Sequence, residues 1–128
     1  MSSAPRQRPK YYDLSLAHLP PPGLVSIFHR ISGLLLFFPV LPLILYMMQT
    51  SLGSDEGFAR WQEFFSRPVV KLLFLVAVWA YAHHFWAGWR YLFLDLHMGI
   101  AKAPARTSAV VVLVLGVLTT LVVAWRIW

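Results

Sequence analysis

Three stretches of this chain, residues 24–48, 68–94 and 107–128, each reach the roughly 20 apolar residues that cross a hydrocarbon core about 30 Å thick. Only helices suit runs of this length. A membrane barrel would instead show segments of about ten residues alternating apolar and polar side chains, and no such alternation is present. The expected fold is therefore an all-α membrane protein of three transmembrane helices. It divides into an N-terminal tail over residues 1–23 and an anchor domain over residues 24–128.

Composition agrees with lipid as the main solvent. Of 128 residues, 59% are hydrophobic and 12% charged, and a soluble fold this short buries only about two-thirds of its unfolded surface. The formal charge of +6 is spread around the apolar runs and forms no soluble basic patch, which argues against a nucleic-acid partner. The absence of cysteine excludes disulfides, thiolate catalysis and iron–sulfur ligation within the chain. Iron–sulfur chemistry would belong to a partner.

Residues 20–23, Pro-Pro-Pro-Gly, break any preceding helix and lead to a restart at Leu24. Pro39 and Pro42 fall inside the first span, where prolines kink a helix that neighbouring helices must stabilise. Residues 51–67, with Asp55, Glu56, Glu63, Arg60 and Arg67, read as a short amphipathic surface loop. Residues 95–106 form a second loop after a stop signal at Gly99. In the third span, Gly116, Thr119 and Thr120 suit close helix contact.

Basic residues set the orientation. Arg6, Arg8, Lys10, Arg30, Arg90, Lys102 and Arg106 lie on one side, seven against the four of Arg60, Arg67, Lys71 and Arg126. The positive-inside rule then puts the N-terminus and second loop in the cytoplasm and the C-terminus outside, with Trp125 and Trp128 as an outer aromatic anchor. Residues 1–10 are basic and acid-free and lack the apolar core of a signal peptide, so they read as a retained cytoplasmic tail in a bacterial cytoplasmic membrane. The remnant of an organellar presequence, and with it the mitochondrial inner membrane, is the alternative.

Ionisable groups inside membrane helices cost roughly 2.5 kcal/mol or more each, which makes them functional candidates. Two clusters stand out. In Ser26–Ile27–Phe28–His29–Arg30–Ile31–Ser32–Gly33, Ser26 and Arg30 share a helix face that Gly33 continues. Arg30 could snorkel to headgroups, or with Ser26 donate hydrogen bonds to a quinone carbonyl or a carboxylate. In His83–His84–Phe85–Trp86–Ala87–Gly88–Trp89–Arg90–Tyr91, followed by Asp95, a histidine with a small residue one turn on suits a haem: the imidazole binds iron and the small residue admits the macrocycle. His83 has Ala87 and His84 has Gly88, so spacing does not choose between them, and an interhelical hydrogen-bonding role is open to both. One histidine supplies one ligand, so a bis-histidine haem needs another chain.

Together these residues resemble the cytochrome b large membrane-anchor subunit of succinate dehydrogenase. Arg8–Pro9 with Asp13–Leu14 is similar to that family's N-terminal signature. The first cluster resembles its S-I-x-H-R-x-[ST]-G motif, and the segment from His84 to Asp95 its H-x-x-x-G-x-R-[HY]-x-x-x-D motif. The resemblance implies His84 as the axial ligand of haem b, with the opposite ligand from the small anchor subunit. It also implies Ser26 and Arg30 at a ubiquinone pocket, and His29 and Arg30 near the haem propionates. Tyr91 departs from the histidine frequent at its position, and His83 is extra, read as a packing or haem-edge residue. A flavoprotein and an iron–sulfur subunit are the implied partners for succinate oxidation, so no catalytic residue is expected in this chain. The anchor of a fumarate reductase or other quinone-linked cytochrome b complex, and a haem-free structural anchor, are the competing readings.

Overall fold

The computed structural model describes residues 18–128; the tail signature at Arg8–Pro9 and Asp13–Leu14, and the tail cations Arg6, Arg8 and Lys10, lie outside the described residues. Five α-helices follow in order: α1 (Pro21–Leu35), α2 (Leu41–Ser51), α3 (Asp55–Ser66), α4 (Pro68–Asp95) and α5 (Lys102–Ile127). A π-helical turn, Leu36–Val40, joins α1 to α2. Three continuous spans result, Pro21–Ser51, Pro68–Asp95 and Lys102–Ile127, all long and apolar enough to cross a membrane. The described residues contain no strand.

The first span begins at Pro21, three residues before the expected restart at Leu24. The first turn of a helix has no intrahelical use for its N–H groups, so Pro21 and Pro22 sit there without loss, preceded by the extended Pro20. The expected proline kink takes the form of the π turn. Pro39 lies within it, and the Leu41 amide donates five residues back to the Leu36 carbonyl, a widened ring that relieves the clash a proline makes in a tight α-ladder.

Residues 51–67 correct the expectation of a surface loop, because most of them form α3. Ser54 caps the helix by accepting from the Gly57 amide at 3.0 Å, and Asp55 and Glu56 complement the positive end of its dipole. Trp61 folds the helix back under α2, its indole N–H donating to Thr50 Oγ1 at 2.7 Å. Gly57 is required at that crossing: a Cβ there would lie 2.0 Å from the Thr50 carbonyl oxygen. Phe65 then meets Phe74 of α4 edge to face at 5.8 Å.

α4 ends in a Schellman closure. Met98 N–H bonds the Phe93 carbonyl at 3.0 Å and His97 N–H the Leu94 carbonyl at 2.9 Å, with His97 itself at φ 60° and Gly99 at φ 72°. The stop expected at Gly99 is thus a two-residue device. α5 starts at Lys102, earlier than the expected Thr107, because Pro104 falls in its first turn, where a missing N–H is harmless.

The core is a three-helix seam. α4 packs on both α1 and α5, and α1 also touches α5. Val25, Ala87, Ala109 and Val112 are buried there, small side chains that let backbones approach closely in the absence of a hydrophobic driving force within lipid. Large apolar residues such as Phe37, Leu73 and Val122 face outward, as lipid-facing positions should.

Candidate functional site

The two polar clusters meet where α1 crosses α4. The His84 ring stacks on that of His29, centroids 4.1 Å apart and planes 13° from parallel. His84 Nδ1 lies 3.2 Å from the His29 carbonyl oxygen and 3.2 Å from Ser32 Oγ. Ser32 in turn donates to the same carbonyl at 2.9 Å. A carbonyl can only accept, and the Ser32 proton is already directed to it, so Nδ1 must carry the imidazole hydrogen in the neutral ring. Nε2 then holds the free lone pair, the form required of a metal ligand.

Glycines shape both sides of this histidine. At Gly33 a Cβ would lie 3.1 Å from His84 Cε1, so α1 can approach the ring only because no side chain intervenes. At Gly88, one turn after His84 on α4, a Cβ would meet nothing within 4 Å among the described residues. The surface beside His84 is open on the side a flat macrocycle would need, and the donor set, a neutral imidazole with its second nitrogen anchored, fits an iron ligand.

His83 has different surroundings. It is 1% exposed, stacked on Trp79 at 5.5 Å, edge-on to Phe28 at 5.8 Å, and set against Gly116 of α5, where a Cβ would lie 3.5 Å from its own Cβ. Its Nε2 is buried and has no hydrogen-bond partner among the described residues. It fills the three-helix seam as a packing residue.

The remaining predicted residues lie on α1 and α4. Ser26 is half-buried and Arg30 exposed. They share the α1 stripe that ends at Gly33 against His84, and Arg30 makes no ion pair among the described residues. Tyr91 tilts against His29 at 5.1 Å. Asp95 is exposed at the last turn of α4. A cavity of about 730 Å³ opens between α4 and α5, lined by Trp86, Trp89, Arg90 and Ser108 among others, and neither Ser26 nor Arg30 borders it.

Two residues have roles that sequence reasoning missed. Ser32 lies inside the first motif and is fully buried, yet its spacing gives no sign that it reaches across to α4. Arg90, 8% exposed, donates from Nε to Ser108 Oγ at 3.1 Å and from Nη2 to the Ala105 carbonyl at 3.3 Å, tying α4 to α5. A guanidinium in the last turns of an apolar helix is the signal that could have marked it as an interhelical tie.

Residues 4–123 match the family described as succinate dehydrogenase/fumarate reductase transmembrane subunit. The chain is 32% identical over 123 residues to a succinate dehydrogenase cytochrome b556 subunit of Coxiella burnetii, covering 95% of this chain and 98% of that one. It is 25% identical over 115 residues to the protein of the same description from Rickettsia felis, covering 90% and 89%.

Proposed function

We propose that this chain, which belongs to the succinate dehydrogenase/fumarate reductase transmembrane-subunit family, is the haem- and quinone-binding anchor of a succinate:quinone oxidoreductase. The observation that carries this reading is His84, held by Nδ1 to α1 so that the lone pair falls on Nε2, beside the open face at Gly88. His84 would hold the iron of a b-type haem, with His29 and Arg30 near its propionates and a further ligand supplied by a small anchor subunit. What such a haem supplies when bound is one-electron exchange at its iron.

The chain's own residues bind, orient and exclude water. α1 fixes the His84 ring through the His29 carbonyl and Ser32. Arg30 and Ser26 donate to the oxygens of a ubiquinone head group, which takes up two electrons and two protons to become the quinol. Those electrons come from succinate, oxidised to fumarate by a flavoprotein and relayed by an iron–sulfur subunit, since a chain without cysteine holds no cluster. The membrane is a bacterial cytoplasmic one, with the N-terminus in the cytoplasm. The same residues would serve the reverse, fumarate-reducing direction, but both relatives are described as subunits of succinate dehydrogenase.

The experiment is a pair of substitutions in the assembled complex. Ser26→Ala and Arg30→Leu should lower ubiquinone reduction roughly ten- to a hundred-fold, from lost hydrogen bonds of about 1.5–3 kcal/mol each. Succinate oxidation with a soluble acceptor should persist, and Arg30 should matter more than Ser26. Wild-type quinone reduction in both variants, with normal haem, would place the quinone elsewhere and leave Arg30 as a snorkelling anchor.

A further inference from the structure

We propose that Ser32, seated beside Gly33, is a positioning residue through which α1 orients the His84 imidazole and sets its strength as an iron ligand. The proposal deepens the haem-anchor reading and rests on it.

Ser32, like Thr119 and Ser108, adds a contact with another helix to the bond within its own, and its partner there is the His84 imidazole. Thr120 bonds back to the Gly116 carbonyl of its own helix at 2.8 Å, the ordinary fate of a hydroxyl within lipid. Ser32 makes the equivalent bond to the His29 carbonyl and also stands 3.2 Å from Nδ1 on another helix. It is fully buried, so neither water nor lipid can replace it. The His29 carbonyl and the Ser32 oxygen thus form a two-point acceptor for one N–H. Such a pair fixes the rotation of the ring about its Cβ bond as well as its tautomer.

The electronic consequence follows from the same bond. An acceptor drawing on Nδ1–H makes the imidazole more electron-rich, and a more electron-rich ligand favours ferric over ferrous iron. Removing the hydroxyl leaves the His29 carbonyl as the single acceptor, so the ligand weakens as a donor and the ring gains rotational freedom. Gly33 acts on the same ring sterically. A methyl there would stand 3.1 Å from Cε1 and 3.5 Å from Nδ1, so the ring would have to shift by a few tenths of an ångström.

The test uses the whole purified complex carrying Ser32→Ala, Ser32→Thr, Gly33→Ala or His84→Ala, read by haem stoichiometry, the low-spin ferric electron paramagnetic resonance signal and the haem midpoint potential. Ser32→Ala should retain haem, raise the midpoint potential and shift the resonance, and Ser32→Thr should return both towards wild type. Gly33→Ala should shift the resonance with the hydroxyl intact. A wild-type potential and resonance in Ser32→Ala, alongside haem loss in His84→Ala, overturns the role of Ser32 while leaving the haem-anchor reading standing. Unaltered haem in His84→Ala overturns both. If Ser32→Ala loses haem outright, restoration by Ser32→Thr supports the proposal and loss in both variants overturns it.

Discussion

The imidazoles of His29 and His84, 55 residues apart in sequence, lie face to face at 4.1 Å. This contact locks the two polar clusters into one site and separates His84 from its neighbour His83. His84→Ala should lose haem, measured as the pyridine haemochrome of the purified complex. His83→Ala should keep it while lowering thermal stability by about 2–4 kcal/mol, the usual cost of emptying a buried ring's volume. Equal haem loss in both variants would remove the distinction.

Gly88 tests the open face. Because a Cβ there meets nothing within 4 Å among the described residues, Gly88→Val should leave the packing of α4 against α1 and α5 intact. Haem content should nevertheless fall, since the added side chain occupies space beside His84. Full haem occupancy in a stably assembled variant would show that the macrocycle does not use this surface.

Arg90 should behave as a structural tie. Arg90→Ala removes hydrogen bonds to Ser108 and the Ala105 carbonyl, and interhelical bonds in membranes contribute about 0.6–1.7 kcal/mol each. The melting temperature of the complex should drop, with the haem spectrum unchanged. Arg90→Lys should recover little, because a single ammonium cannot reproduce the divergent guanidinium geometry. A spectral change at unaltered stability would instead assign Arg90 to the cofactor.

Topology is open to direct labelling, since the chain has no native cysteine. In Trp128→Cys, an impermeant maleimide should react from outside the cell, and in Lys102→Cys only after the cytoplasmic face is opened. The motivation is the seven-to-four excess of basic residues on the N-terminal and second-loop side. Labelling at residue 128 from the cytoplasmic face alone would invert the assignment.

The three spans were legible in the sequence because lipid demands long apolar runs, and a run such as residues 107–128 has few alternatives to a helix. Boundaries were less so. In the sequence Pro21 and Pro22 mark a break and Pro104 falls in the loop over residues 95–106, although a helix's first turn tolerates proline. α3 was hidden by its short length and its charges, even though Ser54, the acidic pair after it and the spacing of Phe58, Trp61 and Phe65 make a helical signature. Within the site, the motifs placed His84 and His29 on the right helices. The link through Ser32 could not be read, because it depends on the rotation of α1 against α4, which a single chain's spacing does not encode.

The π-helical turn at Leu36–Val40 divides the first span into two mechanical units. α1 is wedged against its neighbours and carries every polar residue of the site that this span contributes, whereas α2 buries no side chain and rests mainly on α3. The joint therefore separates the half of the span that holds the His29–His84 stack from a half whose side chains are largely exposed and which leans on α3.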